Sequence, residues 1–290
     1  MPITQAQRIE RRGHIGASDV AGIFGLDPYI TAYNIWAEKT CKVDLEPQDE
    51  DPNDVKNIGT LFEPVVMRWA EGILGLIEPD VELRYSDPQV PLVAHLDGQV
   101  VEDGHVVEAK TAGMRGPIHE HWGEDYTDDI PHRIIVQVSA QMMCAKTEFA
   151  HVPAFLGGRG FVMYQVGVED PDIFQMISDK LGHFWNYNVL KDIPPDDSAP
   201  TMDVIKRIIR TPREVVAVDP DLFEKAMTLR QARLDAKKAA DEAMAELLGA
   251  LGTAEGGECD LGMITYMEQH RKAYSVKANT SRVARFKKAK

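Results

Sequence analysis

The sequence predicts an α/β fold with a helical and hairpin appendage, on three observations. Residues 58–74 carry a clear amphipathic helical period, and residues 81–111 switch to strand chemistry. Residues 134–168 then return to a helix followed by two more strands. Such alternation fits a central mixed β-sheet flanked by helices. After residue 192 the character changes: a breaker, an Ala-rich charged segment, two glycines and a basic end. The division expected is therefore a main domain at 1–192 and a C-terminal appendage at 193–290, made of linker, long helix, small hairpin and basic tail. A chain of 290 residues is long enough for one large domain with an appendage, at roughly 100–200 residues per domain.

Each element has a local reason. Residues 3–12 read as a short helix. In the glycine-punctuated run 13–28, Ser18-Asp19 can cap a helix at 20–24. Residues 31–40 read as a helix entered through Pro28-Tyr29, and residues 44–57 are acidic and irregular. In the helix 58–74, Leu61, Val65, Val66, Trp69 and Ile73 fall on one side. Strand signals follow in VELRYS, VPLVAHLDGQVV and HVVEAKT. Residues 150–156 and 160–168 are strands joined at Gly157-Gly158. Residues 171–190 form a helix that stops at the breaker IPPDDSAP. Asp219-Pro220 is a helix start, with Asp as N-cap and Pro in the first turn. The helix it opens runs to about Leu248, and the segment from Leu261 alternates enough for a small hairpin.

Composition removes several classes. Hydrophobic residues make up 44% and charged residues 27%, a globular balance. No apolar run approaches the eighteen or so residues of a membrane span, and the polar first residues lack the apolar core of a secretory signal. A bacterial cytoplasmic location without membrane attachment is expected. The three cysteines, Cys41, Cys144 and Cys259, are scattered, so neither a disulfide framework nor a four-cysteine cluster is available. Net charge is −14, unlike the usual nucleic-acid binder. Yet the last twenty residues hold eight basic residues and no acidic one. Arg8, Arg11 and Arg12 form a second basic cluster at the other end. A basic tail is either a solubilising end or an arm for phosphates.

The most informative stretch is AHLDGQVVEDGHVVEAKT, residues 94–111. Asp103-Gly104 predicts a two-residue hairpin turn. Glu102 then opposes His105, Gln99 faces Glu108, and Asp97 faces Lys110. Residues two apart share a face of a strand, so Asp97, Gln99, Glu108 and Lys110 converge. Two carboxylates and an amine at one place suit a hard divalent cation such as Mg²⁺. The amine can orient or deprotonate a water, or steady developing phosphorane charge. The same pair would also serve as a plain ion pair across a strand ladder.

Asp97 followed by Glu108-Ala109-Lys110 has the D…ExK pattern of the PD-(D/E)XK nucleases. Around it stand Gly59-Thr60-Leu61-Phe62-Glu63-Pro64, Gln137-Val138-Ser139-Ala140-Gln141-Met142, and Arg11 with Ile15-Gly16-Ala17-Ser18-Asp19. Together, over about residues 8–192, these resemble the lambda-exonuclease-like, YqaJ-type viral recombinase nucleases. The resemblance implies a restriction-endonuclease-like core. It implies side-chain metal ligation by Asp97 and Glu108, carbonyl ligation by Ala109, and a catalytic role for Lys110. Glu63 would reach a second metal position, and Gln137 would sit beside Lys110 or the attacking water. Arg11 and Ser18 would hold a DNA phosphate, the 5′-terminal one, with Arg12 the neighbouring candidate. Mg²⁺ is the implied cofactor, with Mn²⁺ as a substitute.

Three departures stand out. Leu96 replaces the family's proline before the motif aspartate. Ser139 occupies the second position of its QxQ, with Gln141 one turn on from Gln137. Arg12 adjoins Arg11, which leaves the phosphate arginine open by one place. Among the histidines, His119 and His121 lie two apart and point away from each other, and no cysteine is spaced to join them with His95 or His132. The stripe Phe223, Met227, Leu234, Met244, Leu247 and Leu251 fits packing or self-association.

The resemblance thus implies an exonuclease on linear double-stranded DNA, working 5′ to 3′ and leaving 3′ single-stranded tails for phage or prophage recombination. It implies double-stranded DNA ends as substrate, a homo-oligomeric ring, by resemblance a trimer, and a single-strand annealing protein as partner. A structure-specific or restriction-type endonuclease on the same fold is the alternative enzyme. A non-catalytic DNA-binding module is the alternative outside catalysis, and the intact Asp97, Glu108 and Lys110 argue against it.

Overall fold

The computed structural model describes residues 9–44, 54–114, 116, 118, 120–168, 170, 172–212, 215–268 and 270. The chain divides into two compact units, residues 1–210 and 211–290. The first runs past the boundary expected at 192 because residues 198–209 are fastened to it. Thr201 Oγ1 accepts from Asn34 Nδ2 at 2.9 Å, Ile209 N–H donates to the Lys42 carbonyl at 2.9 Å, and Val43 bridges Ile208.

The first unit is an α/β layer structure. Its early elements are β1 (Ile15–Gly16), α1 (Val20–Ile23), α2 (Ala32–Lys39) and α3 (Val55–Leu74). Then come β2 (Ile77–Arg84), β3 (Leu92–Val100), β4 (Val106–Val107) and β5 (Lys110–Ala112). The series closes with α4 (His132–Ala145), β6 (Phe149–Leu156), β7 (Gly160–Gly167), α5 (Asp172–His183) and α6 (Met202–Arg207). Thr31 caps α2 and Asp54 caps α3, each accepting a backbone N–H at the helix start. Asp19 does not cap α1; its carboxylate turns back to Gly16 N at 3.0 Å. The helix expected at 171–190 is α-helical to His183 and π-helical over Phe184–Val189.

All seven strands form one mixed sheet. β2 covers one edge of β3 antiparallel, from Ile77↔Val100 to Arg84↔Val93. The other edge of β3 is shared by two short partners. β1 pairs parallel at Leu92–Val93, and β4 pairs antiparallel at Gly98–Gln99. Between them, Ala94–Asp97 have no strand partner on that edge. β4 and β5 lie in line along one edge of β6, parallel to it, and β7 covers its other edge. The sheet therefore forks where β3 parts from the β4–β5 line.

α4 fills one face, with Ile134, Val138, Ala140 and Met142 fully buried against β3, β6 and their neighbours. Burying each large apolar side chain contributes roughly 1.5–3 kcal/mol. On the other face α3 packs Ala70 and Met67 over Ile77, Val100, Val107 and Met163. The buried side of α3 is thus Val66 and Ala70; Leu61, Val65 and Ile73, expected on the packed side, are exposed.

The hairpin register differs from expectation. Gly98 pairs Val107 and Gln99 pairs Val106, two residues away from the predicted alignment. A two-residue type I′ turn needs positive φ at both central residues. Here Gly104 alone adopts it (φ 75°), while Asp103 Oδ1 accepts from His105 N at 2.9 Å. The turn consequently spans residues 101–104 and closes with Val100 N–H on the His105 carbonyl. A shift of two leaves every side chain on its predicted face and sets Asp97 across from Glu108 instead of Lys110.

The second unit holds α7 (Pro220–Ala250) and a hairpin of β8 (Gly256–Cys259) and β9 (Gly262–Thr265). Asp219 caps α7 through Asp221 N, as the sequence predicts. None of the helix residues is buried within the unit. The hairpin begins five residues before the expected segment. The expected helix at 3–12 lies mostly outside the described residues, as does the basic tail 271–290.

Candidate active site

The fork in the sheet is where the polar residues gather. At Glu108-Ala109 the chain leaves β3 but keeps step with β6. Glu108 N–H donates to the His151 carbonyl at 3.0 Å. Ala109 N–H, which has lost its β3 neighbour, donates to Asp97 Oδ2 at 2.8 Å. A side chain thus replaces a ladder bond, and the replacement holds the motif aspartate beside the ExK backbone.

Glu108 is buried, 5% exposed, and is the hub of the cluster. Its Oε1 accepts from Lys110 Nζ at 2.6 Å and from Gln137 Nε2 at 2.6 Å. Its Oε2 accepts from Gln141 Nε2 at 2.7 Å. Lys110 Nζ also donates to Gln137 Oε1 at 3.1 Å, closing a ring of three side chains. Both glutamines project from α4, whose apolar residues anchor it to the sheet. Positions i and i+4 lie on one helical face, so Gln137 and Gln141 reach down together. Ser139 points elsewhere and bonds its own helix at the Ile135 carbonyl, 2.8 Å away. Gln141 is the residue that sequence reasoning left out of its site, and the i,i+4 spacing was the signal for it.

The electrostatics mark a crowded anionic spot. Burial pushes the Asp97 carboxyl well up, Glu108 and Glu63 push it further, and Lys110 opposes them. Burial also raises Glu63, with Asp80 and Glu108 adding to the rise. Glu63 reaches this field from α3, just before Pro64. Three carboxylates share the field of one ammonium, an excess of negative charge that a cation would relieve. The donors are all oxygen, the set that Mg²⁺ and Mn²⁺ prefer over softer ions. Asp97 Oδ1 has no hydrogen-bond donor among the described residues, so it remains available to such an ion. The residues therefore fit the expected cation.

The other predicted residues stand at the β1 end of β3. Arg11 Nη2 donates to Ser18 Oγ at 3.0 Å and lies 3.5 Å from Asp19. Gly16 permits this, since a Cβ there would come within 3.2 Å of the guanidinium. Burial pushes the Asp19 carboxyl up, but Lys39 at 2.8 Å and Arg11 overcome it and hold it low. His14 beside them is pushed down to about 4 by burial and by Lys39 and Arg84. Arg12 turns away, bonding Val43 O at 2.9 Å and Cys41 Sγ at 3.3 Å. Of the two arginines, Arg11 is the one beside Ser18. His121 pairs with Asp129 at 2.7 Å, and His119 lies outside the described residues.

Comparison with known proteins follows the same stretch of chain. The family model for the YqaJ-like viral recombinase domain matches residues 9–148. The uncharacterized protein YqaJ of Bacillus subtilis (strain 168) is 28% identical over 205 residues, covering 69% of this chain and 61% of the relative. The match thus spans less than two thirds of that relative's length. Among solved structures, an alkaline exonuclease from Laribacter hongkongensis aligns with a TM-score of 0.47 and 16% identity, over 66% of this chain and 94% of that one. A phage-related exonuclease from Haemophilus somnus 129PT aligns with a TM-score of 0.46 and 11% identity, over 62% and 95%. The resemblance to the YqaJ-type viral recombinases therefore holds, over the stretch of chain that carries every residue of the acidic centre.

Proposed function

We propose that this protein is a Mg²⁺-dependent exonuclease on linear double-stranded DNA, working 5′ to 3′ and leaving 3′ single-stranded tails for recombination by annealing. The observation that carries the reading is the joined set Asp97, Glu108, Lys110, Gln137 and Gln141 at the fork of the sheet. In this reading Asp97, Glu108, the Ala109 carbonyl and Glu63 hold the metal. A bound Mg²⁺ would supply charge neutralisation at the phosphate and a more acidic water. Mn²⁺ would substitute.

The chain's own residues do the rest. Lys110 Nζ, steered by Glu108 and Gln137, offers its N–H groups to the attacking water or to the charge developing on phosphate. Gln137 and Gln141 donate to Glu108 and hold that carboxylate in one orientation. Arg11 and Ser18 offer a guanidinium and a hydroxyl to a terminal 5′ phosphate. A ring-shaped homo-oligomer, a trimer by resemblance, and a single-strand annealing partner complete the reading, in the cytoplasm of a bacterial host. An acidic chain is compatible with that role because net charge describes solubility and long-range steering, while a local groove can be basic.

The test is digestion of end-labelled linear duplex beside closed circular DNA, with Mg²⁺ and with EDTA. Degradation of the linear duplex alone, and only with Mg²⁺, is expected. Equal cutting of circles would replace the reading with an endonuclease. Full activity in EDTA would end the metal assignment.

A further inference from the structure

A second cluster of ligand-type side chains lies on the opposite face of the sheet from Glu108. His151 pairs with Val107, so its side chain shares that residue's face and points away from Glu108. Asp103 and His105 come to it from the 101–104 turn. One ligand atom from each of the three lies within 4.8 Å of the other two.

The cluster is built and braced. Asp103 Oδ1 is held by His105 N–H at 2.9 Å, which sets Oδ2 3.0 Å from His105 Nδ1. That second approach lacks hydrogen-bond alignment: His105 Nδ1 is buried without a hydrogen-bond partner, and so is His151 Nδ1. His151 is only 7% exposed. Phe149 packs against both imidazoles, its ring centroid 5.0 Å from His105 and 5.1 Å from His151. Two buried imidazole nitrogens left without partners would each cost free energy.

We infer that Asp103, His105 and His151 form a binding site for a transition-metal ion of the Zn²⁺ class, with water completing its coordination. Two imidazoles and one carboxylate suit Zn²⁺ and its neighbours, whereas Mg²⁺ takes oxygen donors. The ligand atoms need to draw together only modestly to meet bonds of about 2.0–2.2 Å. The consequence is mechanical. An ion there fastens the 101–104 turn to β6, and His151 in turn receives the Glu108 N–H on its carbonyl. The metal would clamp from behind the strand pair that presents Glu108. The site is separate from the oxygen-lined centre and does not depend on the nuclease reading.

The test uses full-length protein stripped with a chelator and then returned to buffer with excess Mg²⁺. Zn²⁺ is titrated by calorimetry, and Co²⁺ is added as a spectroscopic probe of coordination. Wild type and Glu108→Gln should each bind one Zn²⁺ at this site, give the visible bands of four-coordinate Co²⁺, and melt at higher temperature with Zn²⁺. His105→Ala and Asp103→Asn should each weaken Zn²⁺ by at least about tenfold and lose the Co²⁺ bands. Asp103 is exposed in a turn, so its variant tests the site even if His105→Ala disturbs folding. Unchanged Zn²⁺ affinity and Co²⁺ spectrum in Asp103→Asn and His105→Ala would overturn the inference. So would the absence of Zn²⁺ binding by wild type.

Discussion

Single side chains carry the sharpest expectations. Lys110 is held by Glu108 and Gln137 and reaches no other partner among the described residues, which frees its remaining N–H for substrate. In the proposed mechanism the group acts in the transition state, so Lys110→Ala should abolish cleavage while leaving DNA affinity near wild type. Retention of more than about a tenth of the rate would limit its contribution to about 1.4 kcal/mol, too little for a catalytic group. Asp97 makes a different prediction, because its folded pKa lies above its unfolded value. Between those values the folded state holds the extra proton, so stability falls as pH rises through that window. Without metal, Asp97→Asn should therefore raise the melting temperature at neutral pH, flatten its decline as pH rises above the ordinary carboxylate range, and destroy activity. Each 1 kcal/mol corresponds to about 2–4 °C for a unit of this size. Thermal melts in EDTA across pH check it; a lower melting temperature for Asp97→Asn at pH 7 would refute the account of a crowded carboxylate.

At the scale of elements, the fork depends on close packing of β3 under α3. A Cβ at Gly98 would collide with the Ile77 side chain and with the Met67 methyl. Gly98→Ala should destabilise by about 1–3 kcal/mol through overpacking, read by urea denaturation. It should also lower activity, because Gly98 adjoins Asp97; a variant as stable as wild type would mean that α3 shifts freely. The sequence made the elements around this point legible for plain reasons. Asp219 announces its helix by capping chemistry, and Val-rich strand chemistry announces β3. The register was not legible, because Asp103-Gly104 has two turn solutions and the side-chain bond from Asp103 selects the longer one. Convergence of Asp97 and Glu108 survived that error because side-chain parity is unchanged by a shift of two. Gln141 was legible in principle, four residues from Gln137 on one face. The exposed side of α3 was not, since Leu61 and Val65 mimic a packed stripe. His105 and His151 come together only through the β4–β6 pairing, and no spacing rule reveals that.

For the whole molecule the proposed function raises the question of how an acidic chain would meet DNA. The chain carries 46 acidic and 32 basic residues, and the last twenty positions hold eight of the basic ones. Arg11 and that tail should act on different parts of the substrate. Arg11 touches the Ser18 hydroxyl, a pairing suited to one terminal phosphate with its extra charge. Duplex bearing a 5′ phosphate should then be digested faster than duplex bearing a 5′ hydroxyl, and Arg11→Ala should erase the difference. The tail, outside the described residues, would meet internal phosphates regardless of the end group. Each phosphate it neutralises adds about 0.9 to the slope of log affinity against log salt. Truncation after Gln269 should weaken binding, flatten that slope and keep the preference for the 5′ phosphate. The measurement is degradation rate and affinity on both end types at two salt concentrations, for wild type, Arg11→Ala and the truncation. Equal slowing of both substrates by Arg11→Ala would make Arg11 a general DNA contact. An untouched affinity and salt slope in the truncation would assign the tail to folding or to a protein partner.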